Sequence, residues 1–457
     1  MTSPPQHGRH AARSRPRRAL AAGLGPLAAA AIAAIAVTSA APAFAAAART
    51  TASAPATDLK NSTATSATAS PGSQRGHLVS VTPLTALPTV AAVRSELTGD
   101  GFDPAAARYG VRSYRLVYRT VDASGRPTTA SGLMVLPDSG ARELSLVSFD
   151  HGTESYRGDA PSESPTGFEP APAYTFASAG FAVSDPDYLG LGTGPGLQPY
   201  LDLPSETTAT LDMLRAVRHY LTGHRVTARR DVLASGFSQG AAAALGLGRA
   251  LAHGADPYFR IGALAPISGA YDLPGAEVPA IVHGDLVTLN PDPVLGAKYT
   301  VLYAAMGLVA LNRVHPFFTS PAEIFQAPYA GTIETLLNGD HPARQFFDGT
   351  PARLSQLLTP RGFALLRHPT GAWATGLAID STSCDWAPPA PTRLYYAAGD
   401  EQAVNANTFH CRAAFAAHHA RVSLVNLGTP DLPGSRHSGS AVAGTARIVR
   451  WFTQLAH

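Results

Sequence analysis

The sequence predicts an α/β fold in which helices cover both faces of a mostly parallel sheet. Beyond residue 140, short apolar segments typical of buried strands alternate with helical segments. The chain just before that point has the alternating pattern of an antiparallel hairpin. More than a hundred residues separate the strands predicted near 261 and 393, too many for an ordinary crossover. We therefore expect one sheet with a large helical insertion.

The first 45 residues have the pattern of an export signal. Their charges are all positive and come from five arginines: Arg9, Arg13, Arg15, Arg17 and Arg18. An uncharged, alanine-rich run follows, and Ala43-Phe44-Ala45 is typical of a cleavage site. A retained membrane anchor is the alternative, because the uncharged run is long enough to span a bilayer. Pro26 and Pro42 interrupt that run, which favours a cleaved signal peptide at 1–45, a secreted protein and no stable membrane anchor.

The charge balance argues against a nucleic-acid partner. The whole chain has a net charge of +3, but outside the first 45 residues 30 basic residues face 32 acidic ones. Lys60 and Lys298 are the chain's two lysines. A nucleic-acid binder needs clustered basic residues on its folded part.

Residues 46–75 are rich in Ala, Thr and Ser, with Leu59 as the one large apolar side chain. Such a segment cannot offset the entropy lost on ordering, so we expect a disordered leader. The remaining residues, 76–457, are long for a simple domain and suit a domain that carries an insertion.

The elements are expected in a fixed order. An antiparallel hairpin begins near residue 113, turns at 122–125 and ends near 136. Strands follow at 144–149, 181–184, 231–234, 261–265, 393–397 and 422–427. Helices are predicted at about 206–220, 239–252, 404–417 and 440–455. Between them, residues 271–372 are expected to form a helical cap over the carboxyl edge of the sheet, with an apolar helix at 301–311 that is too short to cross a membrane.

The strongest chemical signal is Gly236-Phe237-Ser238-Gln239-Gly240. It follows a predicted strand and precedes a helix of small residues, the setting of a nucleophile elbow. Gly236 and Gly240 leave room for a tight turn that presents the Ser238 hydroxyl at the helix N-terminus. A serine hydroxyl needs a neighbouring base, and that base needs an acid to orient it.

Asp400 is the expected acid, because it lies just beyond the strand at 393–397, where site residues collect. Glu401 and Asp380 are the competing acids, and Asp400 could instead cap the next helix.

His437 is the expected base, in a loop at 433–439 between the last strand and the last helix. The competing histidines lie on the preceding helix: His410, His418 and His419.

A loop after the strand at 144–149 is expected to help stabilise an oxyanion. It contains His151, Gly152 and Thr153, and Gly152 lets the backbone approach a substrate closely. The backbone N–H groups of Thr153 and Gln239 are the predicted donors. A purely structural turn is the alternative.

Cys384 and Cys411 are the two cysteines, and in an exported chain they predict a disulfide, with two buried thiols as the alternative. The sequence has no HExxH or CxxC motif, so no metal is expected. The glycine cluster at 190–194 lacks the third glycine of a dinucleotide site, so no cofactor is expected.

The motifs HGT at 151–153, PDYLGLG at 186–192 and GFSQG at 236–240, followed by Asp400 and His437, resemble the secretory lipase family of α/β-hydrolases. The resemblance implies an extracellular hydrolase of carboxylic esters or lipids with a helical cap, a Ser-Asp-His triad and no cofactor. The apolar cap helix then suits either simple packing or the wall of an acyl-binding pocket.

Other functions use the same fold and residues. An acyltransferase or a peptidase could use the same triad, because the triad fixes the acyl-enzyme step and not its acceptor. A catalytically silent binding module is the third possibility. The oligomeric state and the acyl-chain preference do not follow from the sequence.

Overall fold

An antiparallel ribbon opens the sheet. In the computed structural model, which describes residues 74–456, strands β2 (Val111–Val121) and β3 (Pro127–Pro137) pair across the turn that the sequence predicts. A strand that the sequence did not predict, β1 (Leu78–Leu87), pairs antiparallel with β2. No residue of β1 is fully buried, because it lies at the edge of the sheet, so its side chains carry little of the alternation that identifies a strand.

The rest of the sheet is parallel, as predicted. Six more strands complete it: β4 (Glu143–Asp150), β5 (Ala182–Pro186), β6 (Thr227–Phe237), β7 (Arg260–Ile267), β8 (Arg393–Tyr396) and β9 (Ser423–Asn426). Within residues 74–456 the order is β1-β2-β3-β5-β4-β6-β7-β8-β9. β5 pairs antiparallel with β3, and every pairing from β5 to β9 is parallel. The carboxyl ends of the parallel strands therefore meet along one edge.

Helices cover both faces of this sheet, again as predicted. The helices that flank it are α1 (Val90–Gly99), α2 (Ala171–Ser178), α3 (Leu203–Gly223), α4 (Gln239–Ala252), α13 (Ala406–Ala417) and α14 (Arg436–Ala456). One apolar core includes buried residues of α3, α4 and α13, and a second includes buried residues of α1, α2 and α14. The sequence did not predict α1 or α2, which are short.

Between β7 and β8 the chain forms the helical segment that we call the cap. Its α-helices are α5 (Val278–His283), α6 (Asp285–Leu289), α7 (Pro293–Val314), α8 (Ile333–Leu336), α9 (Ala343–Gly349), α10 (Leu354–Leu357), α11 (Pro360–Arg367) and α12 (Gly371–Asp380). A π-helical turn at Leu273–Glu277 precedes them. The cap has a third apolar core of its own, centred on α7.

Helix α7 corrects one expectation. It has 22 residues and is long and apolar enough to cross a membrane, whereas the apolar run at 301–311 predicted a helix too short to do so. Asp292 caps the N-terminus of this longer helix by accepting hydrogen bonds from the N–H groups of Val294 and Leu295. Two thirds of its most apolar window is buried within the protein, so packing in the cap accounts for its composition.

The signal peptide predicted at 1–45 and most of the leader predicted at 46–75 lie outside the described residues. The last two residues assigned to the leader do contact the domain. Gln74 accepts a hydrogen bond from Arg119, and Arg75 pairs with the buried carboxylate of Asp212.

Cys384 and Cys411 form the disulfide that the sequence predicted. The bond ties the 3₁₀ turn that ends the cap, Thr382–Cys384, to helix α13, and both cysteines are buried.

Candidate active site

The predicted site residues meet at the carboxyl edge of the sheet. Ser238 follows β6 directly, Asp400 lies four residues after β8, and His437 lies in the segment after β9. Residues from three separate strand ends are brought together here, as expected for open α/β sheets.

Ser238 lies in a strained turn between β6 and α4. Its φ of 56° is in the left-handed region, which a non-glycine residue adopts only when the surroundings enforce it. The Ser238 N–H donates to the carbonyl of Ile267 on the neighbouring strand at 3.0 Å. These constraints leave the hydroxyl at the N-terminus of α4.

Gly236 and Gly240 serve this turn by their size. Neither has a positive φ. A Cβ on Gly236 would overlap the carbonyl of Gly240, and one on Gly240 would overlap the carbonyl of Asp150 at the end of β4. The glycines thus allow helix α4 to pack directly against the backbone of β4.

A hydrogen-bonded chain links Ser238, His437 and Asp400. His437 Nε2 lies 2.9 Å from Ser238 Oγ, and His437 Nδ1 lies 2.9 and 3.0 Å from the two oxygens of Asp400. With Asp400 as the acceptor, Nδ1 carries the proton and Nε2 is free to accept the serine proton. All three side chains are buried.

The Asp400 carboxylate is itself held in place. Its Oδ1 accepts hydrogen bonds from the backbone N–H groups of Gln402 and Ala403, both at 3.0 Å. Burial alone would lower the pKa of His437, but the charge and hydrogen bond of Asp400 outweigh it and raise that pKa above its ordinary value.

The surroundings of His437 correct the sequence prediction. The last helix begins at Arg436, so His437 lies in its first turn and not in a loop before it. Glu401 explains the earlier start. Its carboxylate accepts hydrogen bonds from the Ser435 hydroxyl at 2.6 Å and from the N–H groups of Arg436 and His437 at 3.2 and 3.3 Å. A carboxylate at a helix N-terminus stabilises the helix and satisfies its free donors.

The competing residues lie elsewhere. His410 pairs with Asp272 at 3.0 Å, and His418 and His419 are exposed. Asp380 is buried and accepts a hydrogen bond from the N–H of Leu203. Glu401 contacts the backbone of His437 rather than its ring.

The predicted oxyanion loop lies beside Ser238. Thr153 and Gln239 line the same pocket as Ser238, and their backbone N–H groups have no acceptor among residues 74–456. The Thr153 hydroxyl lies 3.1 Å from the hydroxyl of Tyr200, which fixes this side of the loop. Two N–H donors next to the nucleophile are suited to binding a developing negative charge on oxygen.

His151 and Gly152 support this loop. Burial lowers the pKa of His151 to about 4, so the ring is neutral at pH 7. The ring packs against Tyr188, with centroids 4.5 Å apart, and the Tyr188 hydroxyl donates to the His151 carbonyl. A Cβ on Gly152 would approach the Phe237 ring to 3.0 Å, so this glycine keeps the loop close to the elbow.

A pocket extends from Ser238 into the cap, and we call it the cap pocket. Its apolar lining comes mainly from α5, α7, α11 and α12 and includes Ile281, Gly307, Leu366, Trp373 and Leu377. Its polar lining includes Ser238, Thr153, Tyr200, Gln239, Glu277, Tyr303 and Gln402. The Tyr303 hydroxyl hydrogen-bonds the Gln402 side chain at 2.5 Å.

Sequence reasoning missed two carboxyls that lie close to this site. Glu206 accepts a hydrogen bond of 2.6 Å from the Gln239 side chain, and burial raises its pKa to about 8. Glu277 lines the cap pocket and is the one acid in the apolar stretch 273–284, a signal that was visible in the sequence. Among residues 74–456, no group of three or more His, Cys, Asp or Glu side chains is placed to hold a metal ion.

The sheet order, the strained serine turn and the cap between β7 and β8 are those of the α/β-hydrolase fold. Searches with family models and among curated proteins find no match. Solved structures do match. The rice cell wall degrading esterase LipA from Xanthomonas oryzae is 27% identical, with a TM-score of 0.71 over 84% of this chain and 98% of that one.

Two more distant structures share the fold. A candidate hydrolase from Legionella pneumophila is 22% identical, with a TM-score of 0.72 over 83% of this chain and 98% of that one. Candida antarctica lipase A is 16% identical, with a TM-score of 0.55 over 78% and 77% of the two chains. The chain therefore shares the α/β-hydrolase fold with these esterases and lipases.

Proposed function

We propose that the protein is a secreted serine hydrolase that cleaves carboxylic esters. The observation that carries the proposal is the buried chain from Ser238 Oγ through the His437 ring to Asp400, which opens on the cap pocket. The similarity to an esterase of 27% identity supports the same class of reaction. The basic, apolar and Ala-x-Ala pattern of residues 1–45 supports export.

The proposed reaction begins with the attack of Ser238 Oγ on the ester carbonyl carbon. His437 Nε2 takes the serine proton, and the carbonyl oxygen becomes an oxyanion that accepts hydrogen bonds from the N–H groups of Gln239 and Thr153. When the intermediate collapses, the carbon–oxygen bond to the alcohol breaks and His437 donates its proton to that alcohol. An acyl-enzyme on Ser238 remains.

Water completes the cycle in the same way. It attacks the acyl-enzyme while His437 takes one of its protons, and that proton returns to Ser238 Oγ as the carboxylic acid leaves. Asp400 stays ionised throughout, where it fixes the ring and stabilises the imidazolium. The apolar lining of the cap pocket suits the acyl chain of the substrate.

The test is hydrolysis of a series of esters from acetate to palmitate by the exported protein and by Ser238→Ala. We expect ester cleavage by the wild type, and a loss in kcat on the order of 10⁴-fold or more in the variant. Amide analogues and added alcohols in the same assay separate ester hydrolysis from peptidase and acyltransferase activity. Equal turnover by the folded Ser238→Ala variant would overturn the proposal.

A further inference from the structure

We propose that Glu277 is a specificity-determining residue: it donates a hydrogen bond to an oxygen atom carried by the acyl chain, so the enzyme favours oxygen-bearing acyl esters over plain alkyl esters. This inference rests on the proposed ester hydrolase function. It concerns a residue that takes no part in the proton transfers described above.

The position of Glu277 is the first observation. It ends the π-helical turn at Leu273–Glu277, just before α5, and its side chain lines the cap pocket together with Ser238. The residues near it along the chain that also line the pocket are apolar: Leu273, Val278 and Ile281. A carboxyl group costs much free energy in such a wall unless it has a partner.

Within the described part of the chain, the protein provides side-chain hydrogen bonding to only one of the two oxygens of the Glu277 carboxyl. The amide of Asn407 donates to Glu277 Oε2 at 2.7 Å, and within residues 74–456 no other side chain hydrogen-bonds this carboxyl. The Val404 N–H lies close enough to favour the charged form as well. Because Asn407 donates to Oε2, a proton on the neutral carboxyl is favoured on Oε1.

The charges around Glu277 favour that proton. Burial raises the pKa of Glu277 to about 8, and the negative charge of Asp400 adds to the effect. The other titratable groups that interact with it are His437, Tyr200 and Tyr303, from α14, the segment before α3, and α7. Of these, His437 lowers the pKa of Glu277. At neutral pH the side chain is therefore a neutral acid, able to donate to an ether, carbonyl or hydroxyl oxygen.

The experiment compares 4-nitrophenyl hexanoate with its 3-oxa, 4-oxa and 5-oxa analogues, in which one CH₂ of the chain is replaced by oxygen. The readout is the ratio of kcat/KM for each analogue to kcat/KM for hexanoate, measured from pH 6.5 to 9. Intrinsic reactivity differs among the esters but is the same for every variant, so changes in the ratio report the protein.

We expect Glu277→Leu to lower the ratio for at least one analogue by about three- to ten-fold, which is what one neutral hydrogen bond supplies. In the wild type that ratio falls as pH rises through about 8, because the ionised carboxylate cannot donate. Glu277→Gln keeps a donor at every pH, so its ratio stays flat across the range.

Asn407→Leu is the matched control for a purely structural role of the Glu277–Asn407 pair. It removes the amide donor to Glu277 and also the acceptor of the Asp272 N–H at the start of the same turn. Glu277 itself is kept, so we expect the preference to persist and to fall only at higher pH. A loss of preference equal to that of Glu277→Leu would assign the effect to the pair's structure and overturn the proposal.

Two other results would also overturn it: equal ratios in wild type and Glu277→Leu for every analogue, or the same pH-dependent fall in Glu277→Gln. Labelling of each variant with a fluorophosphonate shows whether Ser238 is reactive. Failure of the ester hydrolase proposal can be told apart from failure of the Glu277 proposal. In the first case the wild type cleaves no ester and is not labelled by the fluorophosphonate.

Discussion

In the mechanism that we propose, the reactivity of Ser238 depends on the protonation of His437, and Asp400 controls that protonation. Only the neutral ring can accept the serine proton, so activity is lost as pH falls through the pKa of His437. Asp400 raises this pKa above its ordinary value of 6.5 by outweighing the effect of burial. We expect the acid limb of kcat/KM to have its midpoint above pH 6.5.

The substitution Asp400→Asn tests whether Asp400 raises the pKa of His437. Without the carboxylate charge, burial dominates, so the pKa of His437 is expected to fall below its ordinary value and kcat to fall on the order of 10⁴-fold. NMR titration of the His437 ring measures the shift directly. An unchanged titration in the variant would contradict the role given to Asp400.

Glu401 acts at the scale of an element, because it caps helix α14 and thereby sets the position of His437. We expect Glu401→Ala to lower the free energy of unfolding by about 1–2 kcal/mol, the usual worth of a lost helix cap. It should also lower kcat more than it changes KM, because the substitution displaces the base, His437, rather than the residues of the cap pocket.

Glu334→Ala is the matched control for that substitution. Glu334 also lies in the first turn of a helix, α8, but it is exposed and on the cap. Its loss should leave kcat unaffected. A kcat in Glu401→Ala equal to that of the wild type would show that the Glu401 carboxylate does not position His437.

The disulfide joins two further elements, the end of the cap and α13. The cysteines are 27 residues apart in sequence, and closing a loop of that length restricts the unfolded chain. We expect the double substitution of Cys384 and Cys411 by Ala to lower the free energy of unfolding by about 2–4 kcal/mol in denaturant titrations. An unchanged midpoint would contradict a stabilising role.

Elements were predictable where their signals are local. The bounds of α4 match the sequence prediction because a sharp glycine turn starts the helix and a run of small residues continues it. The start of α14 was not predictable, since the carboxylate that accepts hydrogen bonds from its first N–H groups belongs to Glu401, 35 residues before Arg436 in the chain. Likewise, nothing local shows that the cap folds as many short helices rather than a few long ones.

Buried acids affect the whole molecule. Burial raises the pKa of Asp150 and Glu206 to about 8 and that of Asp380 to about 9, from ordinary values of 3.8, 4.5 and 3.8. A group whose pKa is raised by folding holds its proton longer in the folded state. Stability is therefore greatest below the unfolded pKa and is lost as pH rises towards the folded one.

We expect the melting temperature to fall between about pH 6.5 and 9. Below pH 6.5 the lowered pKa of His151 acts in the opposite direction, because its protonation favours the unfolded chain. For each acid whose pKa is raised by folding, the free energy of unfolding falls by about 1.4 kcal/mol per pH unit between its unfolded and its folded pKa. Asp150→Asn should remove one such slope. A melting temperature that rises over this range would contradict the prediction.

At the scale of the molecule, the sequence predicted the sheet, the cap and the two residues, His437 and Asp400, that form a hydrogen-bonded chain with Ser238. These follow from strand ends, because parallel strands bring their carboxyl ends to one edge whatever lies between them. The polar lining of the cap pocket was not predictable, since Glu277, Tyr303 and Gln402 come from distant segments that only the tertiary fold brings together.

The most direct test of the central claim is intact-protein mass spectrometry after treatment with a fluorophosphonate. We predict one adduct on the wild type, located on Ser238 by peptide mapping, no adduct on Ser238→Ala, and loss of ester hydrolysis in step with labelling. An unlabelled wild type, or an adduct on another residue that persists in Ser238→Ala, would contradict it.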